Sequence, residues 1–146
     1  MRFALLLILL LTSSCRSHGP SAQEDYYGSD VTLPNGKKIL AESARTETMM
    51  MRGMMFRDSL AEDRGMLFTH GEPGTFAYWM FQVRIPLDIV WLDPGKRIVE
   101  IVENAAPCPK KPCLGYGGQA KALYVLELAA GSAKRHNLRV GDALRF

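Results

Sequence analysis

From residue 31 onward the chain alternates short apolar runs with clusters of Gly, Pro, Asn and Asp, the pattern of strands separated by turns. Residues 31–33 and 38–44 flank Pro34-Asn35-Gly36-Lys37, and Asn-Gly between two such runs predicts a β-hairpin. Thr46 followed by Glu47, then Met49, Met50, Met51 and Met54, predicts a capped helix of about two turns that stops at or near Gly53. Residues 57–64 read as a turn. Residues 65–69 and 75–80 read as strands around a loop at 70–74. Residues 85–92 form a further strand, and the turn Asp93-Pro94-Gly95-Lys96 joins it to a hairpin partner at 97–103. A long loop carrying Cys108, Cys113, Gly115, Gly117 and Gly118 precedes a strand at 122–128. Ser132 is placed to cap a short helix running to His136, and Gly141-Asp142 turns the chain into a last strand at 143–146. Seven or so strands and two brief helices predict an α+β domain on a mainly antiparallel, curved or barrel-like sheet. The helices of a βαβ fold would have to be longer.

The first fifteen residues follow another pattern. Arg2, an apolar run at 3–11, the small polar Thr12, Ser13 and Ser14, and then Cys15 give the charge, hydrophobic and small-residue order of a secretory signal. The run falls well short of the ~20 residues that cross a bilayer. Because Cys15 directly follows the small residues, the segment also has the form of a bacterial lipoprotein signal, in which that cysteine becomes the acylated first residue. The usual Leu three places before the cysteine is replaced by Thr12, with Leu11 one step earlier. The expected organisation is a signal peptide at 1–14, a lipidated Cys15 with a polar tether at 15–30, and one globular domain at 31–146. A domain of that length buries roughly two-thirds of its unfolded surface and needs no metal or dense disulfide framework to fold. Removing the signal deletes Arg2 and lowers the net charge from +3 to +2, with the basic residues scattered, which excludes a nucleic-acid stripe. The expected address is the periplasm or outer surface, with a lipid holding the protein to a membrane.

The segment Cys108-Pro-Lys-Lys-Pro-Cys113 places two cysteines close enough to bond in an oxidising compartment, a staple worth roughly 2 kcal/mol. Four intervening residues and two prolines oppose the Cys-x-x-Cys helix start that redox catalysis uses. His18, His70 and His136 lie far apart without ligand spacing, so no metal and no cofactor is expected. Met49, Met50, Met51, Met54 and Met55 carry a minor alternative. Exported methionine-rich segments bind Cu(I) through soft thioethers, and Met50 with Met54, like Met51 with Met55, are spaced to share a helical face. The commoner use of such a cluster is as flexible core filler.

The candidate site centres on Asp88. Its strand is apolar on both faces, which buries it, and a buried carboxylate needs a cation or several donors. Arg52, Arg57 and Arg64 are the candidate partners, since a guanidinium fork suits a carboxylate. The bland reading is a structural Asp–Arg tie between helix and sheet; the sharper one is a pocket carboxylate that orients a ligand or acts as acid or base. Tyr78, Trp79, Trp91 and Tyr116 could line a groove for a sugar or peptidic ligand, although core packing is the commoner fate of strand aromatics. No serine-nucleophile elbow, phosphate loop or paired-carboxylate motif is present.

The blocks RGMMFRDSLAEDRGMLF at 52–68 and FAYWMFQVRIPLDIVWLD at 76–93, with LYVLEL at 123–128, Ala130-Gly131 and Val140-Gly141-Asp142, resemble the family called domain of unknown function 192 over nearly all of 31–146. The resemblance implies a compact, mainly antiparallel β domain with short helices, often exported and commonly carrying a cysteine-containing loop, and it implies no assigned chemistry. Family members tend to read Trp-Met-Lys-Asn-Thr before Ile-Pro-Leu-Asp. This chain reads Trp79, Met80, Phe81, Gln82, Val83, Arg84, so Gln82 can replace an amide contact of the candidate pocket, whereas a contact made there by an ammonium or a hydroxyl is lost. The reading that emerges is an exported, membrane-anchored binding or accessory module of the cell envelope, taking a small envelope ligand or a protein partner. Its alternative is a hydrolase of an envelope polymer with Asp88 as acid or base.

Overall fold

The structure is a computed structural model that describes residues 27–146, so the signal, Cys15 and all but the end of the tether lie outside the described residues. Strand β1 (Gly28–Thr32) begins earlier than expected and takes the last tether residues into the sheet. It pairs with β2 (Lys38–Ala44) from Gly28↔Glu42 to Thr32↔Lys38, and Ser29 Oγ meets Ser43 Oγ at 2.8 Å. The Asn-Gly turn closes this hairpin, with Gly36 at φ 83 supplying the left-handed residue such a turn requires.

Helix α1 (Glu47–Arg52) starts where the sequence places it. Thr46 is extended and its side chain accepts the Met49 N–H, and Gly53 at φ 45 ends the helix. Strand β3 (Arg64–Gly74) follows and lies parallel to β2, not antiparallel, in register from Leu40↔Arg64 to Ala44↔Phe68. A parallel pair needs a crossover of about a dozen residues or more, and residues 45–63 with α1 supply it. The remaining strands are β4 (Tyr78–Trp79), β5 (Leu87–Leu92), β6 (Ile98–Ala105), β7 (Gly115–Tyr116) and β8 (Ala122–Ala129). They complete a six-stranded sheet of order β1-β2-β3-β8-β5-β6 and a separate β4-β7 pair. Every ladder except β2–β3 is antiparallel.

This is the expected α+β class with two short helices, but the sheet is not closed into a barrel. Its two edges are approached by one C-terminal segment through isolated bridges, Ala143 to Arg97 beside β6 and Arg145 to Thr32 of β1. Two bridges in place of a continuous ladder leave the sheet strongly curved and open, and residues 143–146 form no strand of their own.

Both faces of the sheet are covered. On one, Leu67, Val90, Leu126 and Leu128 pack with Leu138, Leu144 and the second helix, α2 (Ser132–Arg135). On the other, Met66, Phe68, Ile89, Trp91 and Val125 pack under Met54, Met80 and Val83, with Tyr78 and Tyr116 against them. Trp91 is fully buried here, and its Nε1 donates to the Phe76 carbonyl at 2.8 Å. The loop after the cysteines passes so close to the ring that a Cβ at Gly117 would lie 2.3 Å from it, at a left-handed φ of 67°. Gly117→Ala is therefore expected to cost about 2 kcal/mol or more, by overpacking and by backbone strain, and to weaken the near-ultraviolet dichroism of Trp91. Denaturant unfolding checks it; a parent-like midpoint would mean that the ring has room to move.

Candidate functional site

Asp88 is buried on a strand whose six residues are all buried, as the apolar pattern requires. Its partners are not arginines. Oδ1 accepts the Asn104 N–H at 2.9 Å and Oδ2 accepts the Ala133 N–H at 2.8 Å. The side chain points to the face shared by Val90, Leu126 and Leu128, because residues on one face of a strand alternate. Arg57 and Arg52 belong to the opposite face, and Arg64 is exposed at the start of β3. The expected Asp–Arg tie is thus replaced by two main-chain donors, one of them in the first turn of α2, where a carboxylate is favoured. Asp88 also takes over the capping expected of Ser132. Gly131, at φ 82, is the cap residue without a side-chain bond, and Ser132 is buried inside the helix. With both oxygens engaged and no exposure, Asp88 has no atom left for a substrate.

The other face holds the carboxyl that the sequence reading missed. Glu42, Met66, Glu127 and Ile89 lie side by side across β2, β3, β8 and β5. Glu42 is held in a two-bonded fork by Arg57, at 2.5 and 2.6 Å. Glu127 is 4 % exposed, and its Oε2 is buried with no hydrogen-bond partner among the described residues. Burial pushes its carboxyl up to about 8, against the pull of the nearby Arg57 charge. Burial, and then the Glu127 charge, also raises the Tyr78 phenol, whereas burial lowers the His70 imidazole. Tyr78 Oη and His70 Nε2 are 3.2 Å apart, and the His70 ring stacks on Phe76 with centroids at 3.5 Å. A signal for Glu127 existed in LYVLEL, where a lone acid interrupts an apolar strand as Asp88 does.

Above Glu127 lies a narrow slot of about 30 Å³, room for one or two waters, lined by Met50, Met51, Met54, Met55, Phe68 and Tyr78 among others. It adjoins a wider groove of about 560 Å³ bounded by Glu47, Met50, Met51, His70, Phe76 and Trp79. The methionines do not share a helical face as their spacing suggested, since α1 ends at Arg52. Gly53 folds the chain back instead, which brings Met54 and Met55 to the same slot as Met50 and Met51.

Of the sequence-derived candidates, the structure brings Arg52 and Trp79 to this slot and holds Arg57 behind it through Glu42; Asp88 and Arg64 are elsewhere. Trp79 is 40 % exposed, with the Lys111 ammonium 4.5 Å from its ring and 4.9 Å from that of Phe81. Gln82 donates from Nε2 to the Pro109 carbonyl at 2.9 Å, so its amide secures the cysteine loop. Cys108 and Cys113 are disulfide-bonded, as expected. Trp91, offered as a groove aromatic, is core.

Fold and site together define a small α+β domain with an open mixed sheet and a groove beside a short methionine-bearing helix. The chain belongs to the DUF192 family, described as Uncharacterized ACR, whose model matches residues 31–146. Two solved structures are similar. One is a protein of unknown function from Novosphingobium aromaticivorans, 31% identical with a TM-score of 0.73, the match covering 82% of this chain and 85% of that one. The other, from Sinorhizobium meliloti and provisionally described as a transcription regulator, is 32% identical with a TM-score of 0.74, the match covering 82% of this chain and 94% of that one. No curated protein matches the chain.

Two substitutions separate the two buried acids. In Asp88→Asn one face of the amide turns an N–H toward a main-chain N–H, so a charge-assisted bond becomes a donor–donor contact. A loss of about 2 to 4 kcal/mol is expected in denaturant unfolding, and a stability equal to the parent's would show that the two amides find other acceptors. Glu127 works with the opposite sign. Its folded-state pKa lies above the ordinary 4.5, so its contribution is fully present below about pH 4.5 and is lost as pH rises through about 8. Glu127→Gln should match the parent near pH 4.5 and exceed it by on the order of a few kcal/mol at pH 9. Parallel stability-versus-pH curves for the two proteins would refute this.

Proposed function

We propose that the protein is an exported binding or accessory module of the cell envelope, held to a membrane by an acylated Cys15, with the groove between α1 and the β3–β4 segment as its ligand face. The observation that carries the binding reading is the contrast between the two buried carboxyls. Asp88 is closed by two main-chain donors, whereas Glu127 keeps an unpartnered oxygen beneath an opening lined by aromatic rings and thioethers. A hydrolase acting through Asp88 has no support in this geometry. Glu127 has no second acid available to it for a paired mechanism, since Glu42 is bound to Arg57.

Support for export comes from two places. The first fifteen residues have the order of a lipoprotein signal, and the Cys108–Cys113 bond is of a kind that persists in oxidising compartments. Among the described residues no helix is long and apolar enough to cross a membrane, so in this reading the lipid on Cys15 is the attachment. Cys15→Ser should move the protein from the membrane to the soluble fraction of cell lysates while leaving the Cys108–Cys113 linkage intact in non-reducing peptide maps. A variant that stays membrane-bound, or native protein with both loop thiols free, would overturn the proposal.

A further inference from the structure

We propose that the slot beneath α1 is a binding site for one soft monovalent cation of the Cu(I) or Ag(I) class, held by the thioethers of Met50, Met51, Met54 and Met55 with Glu127 as the oxygen at its floor. This rests on the groove being the ligand face, and it names the class of ligand. Size is the first argument. A slot of about 30 Å³ has room for an ion or one or two waters and is too small for a sugar ring or a peptide side chain.

Donor chemistry is the second. Four methionines line the one slot, brought there by the reversal at Gly53, and thioethers select soft cations. Glu127 also lines the slot, and its Oε2 is buried without a hydrogen-bond partner among the described residues. Tyr78 and Trp79 line the slot as well, and aromatic rings are compatible neighbours for a cation. His70 borders the outer groove together with Met50 and Met51, so a borderline donor stands on the entry side.

The charged neighbours sharpen the selection. Arg52 lines the slot, and Arg57 is nearby in its fork with Glu42. Guanidinium groups add no oxygen donor for a hard cation such as Mg²⁺ or Na⁺, and thioethers are poor ligands for one. The described residues contain no cluster of three or more His, Cys, Asp or Glu able to hold a metal, so a zinc-type site is not the competitor.

The test uses the full chain carrying Cys15→Ser, so that no free thiol competes, with the loop disulfide intact and in chloride-free buffer. Ag(I), and Cu(I) under anaerobic conditions, are titrated while Trp emission and the native mass are followed. Trp91 is fully buried and Trp79 is exposed beside the slot, so Trp79 reports. One equivalent of Ag(I) should bind with a saturable change in emission, and Mg²⁺ and Zn²⁺ should leave the emission unchanged.

The double variant Met50→Leu with Met51→Leu conserves volume and should weaken Ag(I) binding at least tenfold. Met51→Leu alone, at a position 61 % exposed, serves if the double variant does not fold, with a weakening of at least threefold. Absence of one-to-one binding, or a smaller loss in the folded variant, overturns the ion site. The address is tested separately. A failed titration beside normal release of Cys15→Ser from membranes would sink the ion site and spare the anchored module.

Discussion

The sheet is covered on both faces, and that coverage governs every polar side chain on its inner strands. A carboxyl on β5 or β8 cannot reach water, so it must find donors inside, stay protonated, or keep an unsatisfied atom. Asp88 takes the first course, pinning the end of β6 and the first turn of α2 through two main-chain bonds. Those bonds tie the sheet to its second helix and the C-terminal region in a way that apolar contact does not, because a carboxylate between two amides fixes distance and direction. Glu127 takes the other courses. It sits one position before Leu128, the register partner of Asp88, and so faces the opposite layer, where the Arg57 guanidinium is already forked onto Glu42.

That opposite layer owes its opening to two local features. Strand β3 loses register with β8 between Thr69 and Gly74, which carries His70 and the following aromatic stretch away from the ladder. Helix α1 is only six residues long and has no buried residue, so it leans on the layer through half-buried methionines and does not seal it. Flexible, unbranched side chains at such a margin leave a slot where branched ones would interlock. The groove thus follows from the short helix in the crossover: residues 45–63 carry the chain from β2 to a parallel β3 with only six of them helical, and a longer helix there would cover more of the sheet.

Much of this was legible locally. The Asn-Gly hairpin, the Thr46 cap, the Gly53 stop, the β5–β6 hairpin and the burial of Asp88 all follow from neighbours within a few residues of one another. The disulfide was legible for the same reason, being a pairing across five positions. What escaped was long-range. Asp88's donors are the main-chain amides of Asn104 and Ala133, which no side-chain pattern announces, whereas the expected arginines lie elsewhere, Arg52 and Arg57 with the opposite layer and Arg64 exposed at the start of β3. The parallel β2–β3 pair depended on how the crossover was used, and the grouping of the methionines depended on a reversal at Gly53 that ends helical spacing. Glu127 was a miss of a different kind, since the argument that found Asp88 applies equally to an acid inside LYVLEL.

The cysteine loop is fastened to the wall of the groove. Cys108 donates its N–H to the Met80 carbonyl, Gln82 donates its own to the Cys108 carbonyl, and the Gln82 side chain adds a bond to Pro109, so the loop is stitched to the segment that carries Trp79 and Phe81. Lys111, inside the disulfide ring, then lies over both aromatic rings. Closing so short a loop contributes roughly 2 kcal/mol to stability, and it also fixes the position of the loop beside the two rings. Gln82 adopts φ 58, a left-handed conformation uncommon for a residue other than Gly, Asn or Asp, and its two bonds to the loop offset that strain. The outer wall of the groove is therefore held by an oxidised staple on one side and by the core on the other, and an oxidising environment keeps the staple closed.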